Sequence, residues 1–102
     1  MSTANLNFLL QLEQVIAARK AESGEASYTA KLFKAGPARI AQKVGEEGLE
    51  VALAAATGDT PKVVTESADL LYHLLLLLKN QNLGLADVAA ELAARHANRS
   101  GR

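Results

Sequence analysis

Two groups of acidic residues stand out by their spacing. Glu46, Glu47 and Glu50 sit close together, and Glu66 and Asp69 follow sixteen residues after Glu50. On a helix each residue advances about 100°, which places Glu46, Glu47 and Glu50 within roughly 60° of Lys43 on either side. Glu66 and Asp69, three apart, share a face of the next helix, with Lys62 before them and His73 after. Two facing helices would bring these five carboxylates to one seam. Like charges at that density repel, and burial is costly unless a cation compensates them. An all-oxygen donor set of this kind suits Mg²⁺, with Mn²⁺ as the alternative.

Any one of these carboxylates, taken alone, is an ordinary solvated side chain; the set with its flanks is not. Ile40, Val44 and Val51 lie on one side of the first acidic stripe, and Leu49 and Leu53 on the other. The far side of that helix holds Ala41, Gly45, Gly48 and Ala52, small residues that would let another backbone approach. Each mid-helix glycine costs about 1 kcal/mol relative to alanine, so close packing is the expected compensation. Lys43 and Lys62 could equally pair with neighbouring glutamates or bind phosphate. His73 reads as a hydrogen-bond partner behind the carboxylates rather than as a metal ligand. A di-iron carboxylate bundle is disfavoured, because that class needs Glu-x-x-His pairs and this chain has none.

The elements that must position these residues are helical. Apolar positions from Asn5 to about Glu22 predict a first helix, with Thr3 or Asn5 as cap. Ser27 caps a short helix through Lys34 that Gly36 stops, and Pro37 opens a long helix to about Ala56. A connector from Thr57 to Pro61 leads to a third long stretch, Pro61 to Asn80. Asp87 lies near the start of a last helix ending around His96, followed by a tail expected to fray. The reading is an all-α helical bundle of four to five helices forming a single domain over residues 1–102, with its core at about 5–97. The Pro61–Asn80 stretch is apolar nearly all round, and so small a chain has too little material to cover it. A homodimer or higher homo-oligomer is therefore expected to complete the bundle.

Composition narrows the class further. At 102 residues and 49% hydrophobic with 4% aromatic side chains, the chain is one helix-favouring domain. Formal net charge is zero, so no nucleic-acid footprint is indicated. The absence of cysteine removes disulfides, thiolate metal sites and cysteine nucleophiles. The apolar run Leu70–Leu78 is far short of the ~20 residues that span a bilayer, and the N-terminus lacks signal-peptide features. A cytoplasmic protein with no membrane or nucleic-acid partner is expected.

Glu46-Glu47-x-x-Glu50 followed by Glu66-x-x-Asp69 resembles the signature of the all-α nucleoside triphosphate pyrophosphohydrolases, the MazG-like superfamily. Within it, Ser27-Tyr28-Thr29-x-Lys31-Leu32, Lys43-Val44-Gly45-Glu46-Glu47 and Glu66-x-Ala68-Asp69-Leu70-x-Tyr72-His73 resemble the phosphoribosyl-ATP pyrophosphohydrolase family. The resemblance runs from about Leu6 to Arg95. It implies Mg²⁺-dependent hydrolysis of 1-(5-phosphoribosyl)-ATP to 1-(5-phosphoribosyl)-AMP and diphosphate, the second step of histidine biosynthesis. It implies that Glu47, Glu50, Glu66 and Asp69 are metal ligands, with Glu46 orienting or deprotonating water beside Glu47. Lys31, Lys43 and Arg95 are then candidates for substrate phosphates, and Ser27, Tyr28 and Thr29 for lining the site. Some relatives fuse this activity to a cyclohydrolase domain; the chain, with no room for one, is expected to be the stand-alone form. Two other readings share parts of the pattern: a house-cleaning (d)NTP pyrophosphohydrolase, and a non-enzymatic helical dimerisation module.

Overall fold

In the computed structural model, which describes residues 3–98, a 3₁₀ turn at Thr3–Leu6 leads into α1 (Asn7–Arg19). It is followed by α2 (Tyr28–Ala35), α3 (Pro37–Ala56), α4 (Thr60–Asn80) and α5 (Leu85–Asn98). No strand occurs among the described residues, so the fold is all-α with five α-helices. Arg99 and the rest of the tail lie outside the described residues.

Local chemistry sets most of the boundaries. The Ser27 hydroxyl accepts the Ala30 N–H at 3.0 Å and starts α2. Gly36 ends it with φ 100°, a conformation that penalises any side chain, and Pro37 begins α3 at once. The Asp59 carboxylate accepts the Lys62 N–H at 3.1 Å, and Pro61 falls in the first turn of α4. After α4, Asn82 takes a left-handed φ of 62°, and the Leu83 N–H returns to the Leu78 carbonyl at 2.8 Å. The first helix differs from expectation. It has no side-chain cap and ends at Arg19, because the N–H groups of Lys20, Ala21 and Glu22 bond three residues back and tighten the chain into a turn.

α3 and α4 form a hairpin about the Thr57–Asp59 connector, and it is the body on which the other helices rest. Ile16 of α1, Leu32 of α2, Ile40 of α3 and Leu75 and Leu76 of α4 make the buried core. Ile16, Ile40, Leu75 and Leu76 are fully buried, each contributing about 1.5–3 kcal/mol by leaving water. Leu12, Phe33, Tyr72, Leu77 and Leu85 pack around them.

α5 contributes no buried residue and is held chiefly at its start. The carboxylate of Glu13, itself only 7% exposed, accepts the Leu85 N–H at 2.6 Å and pairs with Lys79 at 3.5 Å. No helix among the described residues is long and apolar enough to cross a membrane.

The small-residue face expected to receive a backbone does not do so within one chain. A Cβ at Gly45 or Gly48 would meet nothing within 4 Å. Leu49, Leu53 and Val64 are likewise more than half exposed, so one flank of the acidic stripe and part of α4 face outward. The hairpin's helices pair with each other along the opposite faces, which leaves these residues for whatever lies outside the chain.

Candidate metal centre and substrate hollow

The hairpin register brings the acidic groups together. Glu47 lies eleven residues before Gly58 and Asp69 eleven after it, so antiparallel helices of equal rise set them at one level. Glu66 is one turn away from Asp69 on the same face. Oxygens of Glu47, Glu66 and Asp69 all lie within 4.8 Å of one another. Glu47 and Glu66 are partly buried and Asp69 is exposed, so the group opens to solvent on one side.

This donor set fits a hard divalent cation. Oxygens about 2.1 Å from a common ion are roughly 3 Å apart in cis and 4.2 Å in trans octahedral positions, so small side-chain rotations would close the group. Without a cation, each pair of carboxylates repels by about 1 kcal/mol at ~4 Å even in water. The Lys43 ammonium offsets part of this, at 3.5 Å from Glu47 and 3.7 Å from Glu46. These are ion-pair distances, one of its two sequence readings.

The remaining predicted residues are distributed as follows. Glu50, level with Glu66 in the hairpin, is exposed and is not one of the three converging carboxylates. Glu46 is exposed, accepting a 3.0 Å hydrogen bond from Gln42. Arg95 lies on α5, tied to Glu91 by a 2.9 Å ion pair, and lines neither hollow described below. Thr29 is buried, its hydroxyl bonded to that of Tyr72, and so ties α2 to α4. Ser27, Tyr28 and Lys31 border an open hollow of about 550 Å³ with Gly24 and Glu25.

His73 connects Tyr28, on the wall of this hollow, to the helical turn that carries Asp69. It is buried, with Nδ1 at 2.7 Å from the Asp69 carbonyl and Nε2 at 2.8 Å from the Tyr28 hydroxyl. A carbonyl only accepts, so Nδ1 carries a proton; in the neutral ring Nε2 then accepts from the phenol. Tyr28 and Tyr72 both stand edge-on to the imidazole, with centroids at 5.7 and 5.6 Å. The ring is thereby fixed one helical turn from Asp69, bonded to its backbone carbonyl rather than to its carboxylate.

Two residues escaped sequence reasoning. Arg39 borders a second hollow with Tyr28 and Lys31, which only the sharp turn at Gly36 brings about. Glu13 looks like a surface residue of α1, and its burial depends on the distant start of α5.

An all-α bundle with three convergent carboxylates and cationic side chains beside an open hollow has the outline of a protein that handles phosphates with a divalent cation. The chain belongs to the phosphoribosyl-ATP pyrophosphohydrolase family, whose profile matches residues 9–96. It is 61% identical over 89 residues to the histidine biosynthesis bifunctional protein HisIE of Shewanella oneidensis, covering 87% of this chain and 42% of that protein. The like-named protein of Photobacterium profundum is 59% identical over 91 residues, covering 89% and 44% respectively. That of Campylobacter jejuni is 54% identical over 93 residues, covering 91% and 45%. The chain thus spans less than half the length of these relatives.

Proposed function

We propose that the chain hydrolyses 1-(5-phosphoribosyl)-ATP to 1-(5-phosphoribosyl)-AMP and diphosphate, the second step of L-histidine biosynthesis, with Mg²⁺ as its cation. The observation that carries this reading is the convergence of Glu47, Glu66 and Asp69 in a chain whose family match covers residues 9–96. Bound there, Mg²⁺ would neutralise charge on the polyphosphate and on the departing diphosphate. Glu47, Glu66 and Asp69 would hold it, with Glu50, exposed one turn along from Glu47, as a fourth ligand. Glu46 orients the attacking water or takes its proton. Lys43 holds Glu46 and Glu47 in place through its two ion pairs. Tyr28, Ser27 and Lys31 line the substrate's way in, with Lys31 on a phosphate, and His73 fixes both Tyr28 and the turn that carries Asp69. Arg95 would need to leave Glu91 to join a phosphate.

The active form is a cytoplasmic homodimer. Exposed Leu49, Leu53, Val64 and Leu92, the open Gly45 and Gly48, and an α5 with nothing buried support a second copy covering this surface. A solution mass near twice 10.8 kDa is expected by light scattering; a monomer at micromolar concentration would contradict it.

Product analysis tests the activity. With Mg²⁺, phosphoribosyl-ATP should yield diphosphate and phosphoribosyl-AMP with strong preference over ATP and dNTPs. Comparable turnover of dNTPs would point instead to a house-cleaning pyrophosphohydrolase. No diphosphate from any nucleotide would leave the non-catalytic dimerisation module.

A further inference from the structure

The substrate class named by the family has two anionic ends, the triphosphate and the phosphate on the added ribose. The carboxylate group, with its cation, suits the first; the second needs cationic side chains of its own. A hollow of about 170 Å³ between α2 and α3 offers them, lined by Tyr28, Lys31, Leu32, Ala35 and Arg39. At about 30 Å³ per water, it has room for roughly six waters, and so for a phosphate group.

No carboxylate among the described residues lines this hollow. Among the described residues Lys31 and Arg39, like Lys20, Lys34 and Lys62, have no ion-pair partner, whereas Arg19, Lys43, Lys79 and Arg95 each do. Of the unpaired five only Lys31 and Arg39 line this hollow. The two charges come from different helices. Gly36, at φ 100°, joins α2 directly to Pro37 of α3, so the last turns of one helix and the first turn of the next form a single concave wall. The larger neighbouring hollow carries Glu25, whose charge disfavours a phosphate there and leaves that space to the uncharged parts of a nucleotide. Tyr28 and Lys31 border both hollows, and the Tyr28 phenol meets His73, one turn from Asp69. Both hollows thus lie against the residue whose phenol, through buried His73, reaches the α4 turn that carries Asp69.

We propose that Arg39, with Lys31, binds the phosphate of the phosphoribosyl group and so separates phosphoribosyl-ATP from ATP. The assignment rests on the activity proposed above. Arg39 is a specificity residue remote from the bond that breaks, and its binding energy goes to substrate recognition.

Steady-state release of diphosphate from phosphoribosyl-ATP, with ATP as a competing inhibitor, tests it in wild type, Arg39→Met and Arg39→Lys. Removing a charge-assisted hydrogen bond to phosphate should raise KM about tenfold to a hundredfold in Arg39→Met. The change should fall on KM rather than kcat, and Arg39→Lys should lie between the two. The inhibition constant of ATP, which lacks that phosphate, should stay within about twofold. An unchanged KM would overturn the subsite while leaving the activity standing. Equal weakening of phosphoribosyl-ATP and ATP would also overturn it, since Arg39 would then act on the shared triphosphate or on the fold. A wild-type protein that releases no diphosphate would remove the activity itself, and the subsite with it.

Discussion

The Tyr28 hydroxyl and the His73 Nε2 meet at 2.8 Å, joining the first residue of α2 to the middle of α4 across 45 positions of sequence. The bond ties a residue lining the larger hollow to the turn of α4 that carries Asp69. Tyr28→Phe would keep the ring in place and leave the buried His73 nitrogen without its partner. A loss of about 1–3 kcal/mol is expected, read as a fall of several degrees in melting temperature. A variant as stable as wild type would mean that water replaces the phenol at no cost.

Divalent cation and stability should be coupled. Mg²⁺ at about a hundred times its dissociation constant should add about 2.7 kcal/mol to the folded state. A thermal melt with and without millimolar Mg²⁺ checks this. Glu66→Gln, which removes one of the three converging charges, should melt at or above the wild type without Mg²⁺ and gain far less from adding it. A melting temperature that does not respond to Mg²⁺ in the wild type would count against a preformed site.

Glu13 should act as the latch of α5. Glu13→Ala deprives the Leu85 N–H and the Lys79 ammonium of their acceptor, at an expected cost of about 1–3 kcal/mol. Gly84→Ala should disturb the same latch from the other side, because a Cβ there would sit 2.9 Å from the Glu13 carboxylate and 3.3 Å from the Lys79 ammonium. Hydrogen exchange should show the start of α5 losing protection before the α3–α4 hairpin does. Uniform loss over the whole chain would show that α5 is part of one cooperative unit.

Much of this architecture was legible because the signals are local. Ser27, Gly36 and Pro37 mark helix ends through their own local chemistry, and all three stand where the sequence placed them; Asp59, the cap of α4, lies inside the connector that the sequence indicated without singling it out. The convergence of Glu47, Glu66 and Asp69 was legible for a related reason, since a short connector forces two long helices into one register. The rotation of each helix about its own axis was not legible. That rotation leaves Glu50 exposed while Glu47 turns inward, and it leaves Gly45 and Gly48 facing open space. Glu13 and Arg39 depend on where distant segments fold back, which periodicity does not encode.

The outward apolar surface should govern assembly. Leu53 is 52% exposed on α3, and Leu53→Glu would put a charge one helical turn from Leu49, itself largely exposed. The substitution should halve the mass seen by light scattering while helicity by circular dichroism stays unchanged. An unaltered mass would place the dimer contact elsewhere on the molecule.

Asp69→Asn and Glu50→Gln should each nearly abolish diphosphate release while the chain stays helical. Near-wild-type turnover at saturating Mg²⁺ in either variant would take that residue out of the ligand set.

Diffraction from crystals soaked in Mn²⁺, recorded at an energy where manganese scatters anomalously, tests the central claim most directly. The account predicts an anomalous peak between α3 and α4, about 2.1–2.2 Å from oxygens of Glu47, Glu66 and Asp69. The absence of a peak there, or a peak only at other carboxylates of the chain, would contradict it.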